Sequence, residues 1–140
     1  MTEMEEEIMD CIKLYFLTFF VFFLVDIVWL GAISKNLYSK YLGHLMTPNV
    51  NWAAAIIFYL LFIAGLVFFV IHPAIQKESL LYAILAGGFF GLVAYGTYDL
   101  TNLATLKDWP FLITAIDLAW GTFLNAATAG ITYVVAQRFL

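Results

Sequence analysis

Of the 140 residues, 64% are hydrophobic, 19% aromatic and only 11% charged, and the formal net charge is −4. A soluble domain carries roughly 25% charged residues, so a chain this poor in charge, with a mean hydropathy of +0.95, reads as an integral membrane protein. A spanning helix takes about 20 apolar residues, so four spans leave no length for a folded domain outside the bilayer. That excludes a receptor with a soluble head and a two-domain enzyme, and an acidic first ten residues without a basic one argues against a nucleic-acid binder.

In chain order, residues 1–12 form an acidic N-terminal extension, read as a solvated, frayed prolongation of the first helix. It lacks the positive start of a cleaved signal peptide, so the first span is expected to be retained. Span one covers 13–34, and its only charge between the flanking lysines is Asp26. Residues 35–51, with Lys35, Lys40, His44, Pro48 and three asparagines, read as a loop lying partly on the membrane surface. Span two covers 52–72 and stops at His72 and Pro73, because proline lacks the backbone donor that a helix interior uses. Having no polar stripe, it reads as scaffold facing lipid or a partner. Span three covers 79–106 with Ser79 as its N-cap, and span four covers 110–137 with Pro110 in its first turn.

Short links make neighbouring helices antiparallel, so the expected fold is all-α: an up-down-up-down bundle of four transmembrane helices in one membrane domain, with both termini on the same side. Long apolar runs without period-2 alternation speak against a β-barrel. Tyr38, Tyr41, Trp52 and Trp109 form one expected aromatic belt, and Tyr15, Tyr82 and Tyr133 the other. Basic residues tie at three on each side, Lys13, Lys77 and Arg138 against Lys35, Lys40 and Lys107, so they set no orientation.

The informative residues are Asp26, Asp99 and Asp117. A charge at the bilayer centre costs at least about 2.5–3.5 kcal/mol on insertion scales, and no Lys or Arg inside the spans offsets these three. Counted along the helical rise from the nearest loop, all three lie at one depth, roughly 12–14 Å from that side. Helical spacing puts each on a polar or small-residue stripe: Thr18, Phe22, Asp26 and Trp29 in span one; Gly88, Gly91, Tyr95, Asp99 and Asn102 in span three; Asp117, Gly121, Asn125, Thr128 and Thr132 in span four. Gly87 and Gly91 form a GxxxG pair suited to close helix packing.

Asp26 and Asp117 share the pattern D-x-x-W, so Trp29 and Trp120 are expected one above and one below the carboxylate layer. Carboxylates flanked by aromatic faces suit a cation, and they equally suit hydrogen bonding with indole and phenol groups as interhelical glue. The candidate site is therefore Asp26, Asp99 and Asp117, walled by Trp29, Trp120, Tyr95, Tyr98, Asn102 and Asn125.

With these residues in view, the chain resembles a bacterial family of predicted four-span inner-membrane proteins, domain of unknown function 2177. The resemblance rests on GLVAYGTYDLTNLATLKDWP at Gly91 to Pro110, VDIVWLG at Val25 to Gly31, YLGHL at Tyr41 to Leu45 and DLAWGT at Asp117 to Thr122. It implies a helical bundle in a cytoplasmic membrane, with the acidic start as an extension, and it implies no activity.

Three functions fit the residues. The first is binding or transport of a proton or other cation through the aspartate layer, in a homodimer. The second is a non-catalytic component that binds lipid, a quinone-like ring or a partner subunit. The third is a metal-dependent enzyme on lipid substrates, for which the carboxylates would suit Mg²⁺, Ca²⁺ or Mn²⁺. No HExxH, GxSxG, CxxC or Walker motif supports an enzyme, catalytic residues are not assigned, and the sequence names no cofactor.

Overall fold

The computed structural model describes residues 2–140. The described residues form helices and no strand. Four helices are long and apolar enough to cross a membrane: α1, Glu3–Leu45; α2, Trp52–Gln76; α3, Leu80–Thr105; and α4, Phe111–Phe139. The fold is that of an all-α membrane protein.

The acidic segment is an ordered, capped start to α1. Thr2 accepts from the backbone N–H of Glu5 at 3.2 Å, and the Glu5 carboxylate accepts from the Thr2 N–H at 2.9 Å. This capping box satisfies two otherwise orphaned donors, and Glu3, Glu5 and Glu6 sit where the positive end of the helix dipole favours acids.

At the other end the structure departs from the expected surface loop. Residues 30–34 form a π-helical turn, after which α-helix resumes over Lys35–Leu42 and a 3₁₀ turn closes at Leu45. Leu37, Tyr38, Tyr41 and Leu42 recur at helical spacing and turn inward, whereas Lys35, Asn36, Ser39 and Lys40 are exposed. The segment is thus an amphipathic helix, and Pro48 is the first residue that cannot continue it.

α2 also extends past its expected stop. A second π turn, Val67–Ile71, precedes Pro73, and helix continues to Gln76. A widened turn re-routes the backbone bonds that the proline ring would otherwise break, so Pro73 sits at the start of a fresh helical turn. Far from serving only as an outer scaffold, α2 supplies Phe62, Ile63, Leu66, Val67, Val70 and Ile71 to the core, while Leu61, Phe68 and Phe69 are exposed.

Ser79 caps α3 by accepting from the Tyr82 N–H at 3.0 Å. Pro110 occupies the N-cap of α4 in extended conformation, and Asp108, at φ 59°, takes the left-handed conformation in the link between α3 and α4. These two helices pack over their full length through glycine. A Cβ on Gly87 would stand 2.7 Å from the Asn125 carbonyl oxygen, and one on Gly91 would overlap the Gly121 carbonyl. The GxxxG pair therefore lets the two backbones touch.

Large apolar side chains face outward along the helices, and a set of polar ones is buried between them. Asp26, Asp99, Asp117, Asn125, Thr18, Thr114, Thr128 and Thr132 are all buried, whereas Phe16, Leu24, Phe89, Phe111 and Phe123 are exposed. In water this would be an aggregating surface; in lipid it is the solvated one.

Candidate functional site

Asp26 from α1, Asp99 from α3 and Asp117 from α4 are each at most 5% exposed. Their environments differ. Tyr38 donates its hydroxyl to Asp117 Oδ1. Trp120 Nε1 donates to Asp26 Oδ1 at 3.3 Å, joining α4 to α1. Neither oxygen of Asp99 meets a donor of the protein; the group beside it is the Asp117 carboxyl, close enough for the pair to share a proton.

Thr114 donates to the Asp99 carbonyl at 3.4 Å and accepts from Trp109 Nε1 at 3.0 Å. This buries Trp109 to 8% exposure, where the belt reading had put it at the membrane surface. The Asp99 side chain thus meets no donor and has only the Asp117 carboxyl beside it, while its main-chain carbonyl accepts a single side-chain hydroxyl.

Tyr95 is the meeting point of the layer. Its ring lies against Gly121, where a Cβ would collide with it, and Asp26, Asp99, Asp117 and Tyr59 are its electrostatic neighbours. Trp29 and Trp120 do not lie on opposite sides of the layer as expected: they stack, with centroids 4.6 Å apart and planes 10° from parallel. With α1 and α4 in contact, each indole leans across the helix boundary, and stacking is worth more than independent burial.

The remaining expected wall residues are placed differently. Tyr98 is 55% exposed and meets Trp109 edge-on at 5.6 Å, so it faces outward beside the layer. Asn102 is half-buried. Asn125 is fully buried, with Nδ2 donating to the Gly121 carbonyl at 2.8 Å, but it lies eight residues past Asp117, about 12 Å further along the axis. It belongs to the stripe and not to the acid layer. Among the described residues no group of three or more His, Cys, Asp or Glu side chains is placed to hold one metal ion.

Sequence reasoning missed Tyr38, Trp109 and Thr114. Tyr38 follows Asp26 by twelve residues, which in an uninterrupted α-helix would leave it about 120° off the Asp26 face. The π turn at 30–34 has more residues per turn and rotates Tyr38 back toward α4. The inward spacing of Leu37, Tyr38, Tyr41 and Leu42 was the available signal that helix continued; nothing in the composition marked the turn.

A family model for predicted membrane protein (DUF2177) matches residues 11–134. The chain belongs to that family. No curated protein and no solved structure matches it.

Proposed function

We infer that the protein binds and exchanges a proton or another small cation at its intramembrane aspartate layer, with Asp99 and Asp117 as the exchanging pair. The observation that carries this reading is the fully buried Asp99 carboxylate, unpartnered by protein donors and beside a second carboxylate. Two carboxylates sharing an interior site cannot both be negative without a counter-charge. Since no Lys or Arg is offered, that charge is a proton or a cation. Asp26, held by Trp120, and Asp117, held by Tyr38, are positioned acids; Asp99 is the one free to change partner.

Transport would use this exchange across an inner membrane, with the chain as an up-down-up-down antiparallel bundle, both termini on one side, working as a homodimer. Contacts that pair Ile84 with Gly130, Gly87 with Asn125 and Gly96 with Leu118 support opposite running of α3 and α4. The test is a proton-release assay on purified protein in liposomes. Wild type should release protons when a monovalent or divalent cation is added, and Asp99→Asn should not. Identical responses from wild type and from Asp26→Asn, Asp99→Asn and Asp117→Asn would overturn the reading.

A second reading has one observation in its favour. A groove of about 390 Å³ lined by Phe58, Phe62, Ala94, Tyr95 and Tyr98 lies against the layer's central tyrosine, and its aromatic lining would suit a quinone-like ring or a lipid chain. Copurification of such a molecule, lost in Ala94→Phe, would favour it. The metal-dependent lipid enzyme has no grouped ligand set among the described residues to support it.

A further inference from the structure

Helical threonines here usually satisfy their own hydroxyls. Thr18, Thr97, Thr101, Thr105 and Thr122 each donate to the carbonyl four residues back, the ordinary solution where water is scarce. Thr128 and Thr132 do not. Both are 0% exposed, and neither hydroxyl has a hydrogen-bond partner in the protein; the Oδ1 of fully buried Asn125 has none either.

These three groups lie on one face of α4, about 4.5 Å and 6 Å apart along its axis. Each gap is the span of one or two hydrogen-bonded waters. Unpaired in a low-dielectric interior, each group is destabilising, and a water with two to four polar partners removes that cost. The next residue on this face, one turn beyond Thr132, is Ala136. It lines an open cavity of about 530 Å³ at the helix ends, together with Glu3, Glu6, Glu7, Asp10 and His72. Four acids at its rim raise the local concentration of protons and cations.

We propose that the interior of the bundle holds a file of water running from this acidic vestibule along Thr132 and Thr128 to Asn125, a half-channel that delivers protons or small cations toward the Asp99 and Asp117 pair. It closes where the backbones of Gly91 and Gly121 meet and the Tyr95 ring covers Gly121. Tyr95 is thus the plug between the water file and the acid layer. The direction of delivery rests on the exchange proposed above; the water file rests on the unpartnered groups alone.

The experiment reads hydration separately from exchange. In a full-length Cys11→Ser background, Thr128→Cys and Thr132→Cys are treated in proteoliposomes with a small, charged, membrane-impermeant thiosulfonate. Ile63→Cys, in the apolar core, and Ile131→Cys, on the exposed face, serve as references. Thiolates react and apolar surroundings suppress them, each pKa unit changing the thiolate fraction about tenfold, so the two threonine positions should react at least about tenfold faster than both references. Equal or slower reaction overturns the file, whether or not the proton-release assay succeeds. Hydroxyl radicals generated from water in the wild-type protein give a variant-free check. Oxidation of buried Leu124 or Tyr133 supports the file, and their protection alongside oxidation of exposed Met4 and Met9 overturns it.

Discussion

The hydrogen bond between Tyr38 and Asp117 is the point at which the fold and the candidate site can be tested together. Tyr38→Phe removes one hydroxyl and keeps the half-buried ring, leaving a 5%-exposed carboxylate without its donor. In water-soluble proteins a hydrogen bond to a charged group is worth about 1.5–3 kcal/mol. Between membrane helices, measured couplings average about 0.6 kcal/mol and reach about 1.7, because the unfolded chain in the bilayer also finds partners. A buried acceptor with this one protein donor belongs in the upper half of that range, so the expected coupling is about 1 kcal/mol, roughly a fivefold change in the folded-to-unfolded ratio. Reversible unfolding in mixed micelles, followed by far-UV circular dichroism, would measure it in a cycle of Tyr38→Phe, Asp117→Asn and the double variant. Tyr41→Phe, at a tyrosine facing Lys40, is the control. A coupling below about 0.3 kcal/mol, within the additivity error of independent sites, would mean that Tyr38 does not reach the layer. The continuation of α1 through its π turn would then be wrong, and 35–51 would be a surface loop after all.

Asp99→Asn should leave stability within about 1 kcal/mol of wild type, since neither Asp99 oxygen accepts from a protein donor, while abolishing cation-linked proton release; a large loss of stability would make Asp99 a structural group. Gly91→Ala should lower stability by about 1–3 kcal/mol by forcing α3 from α4, whereas Gly43→Ala, at φ −53° with nothing within 4 Å of its Cβ, should be neutral or stabilise by about 0.4–1 kcal/mol; the same unfolding titration compares them. Trp120→Phe should cost about 0.5–1.5 kcal/mol through its indole pairing and remove the near-UV circular dichroism of the stacked Trp29 and Trp120 pair, a signal that single unstacked indoles would not share.

The three aspartates were legible from the sequence because a membrane span punishes charge: among so few charged residues, the ones without a loop to sit in stand out by elimination. The stripes were legible for the same reason, since helical period and small side chains leave a mark on composition. The Asp117 stripe of α4 is buried from Asp117 to Ala136. Trp29 and Trp120 stack instead of flanking the layer, because sequence spacing sets the face of a Cα but not the lean of an indole.

What the sequence by itself determined is therefore the class of the protein, the number of its long apolar helices and the identity of its buried acids, all consequences of transferring single residues from water to lipid. What only the tertiary structure decided is how those acids differ from one another. Asp26 takes Trp120, Asp117 takes Tyr38 and Asp99 takes no protein donor. Those partnerships depend on a π turn that rotates eleven further residues of helix and on glycine contacts that bring α3 and α4 to backbone distance. Both are set by packing between segments far apart in the chain, which no local pattern of hydrophobicity encodes.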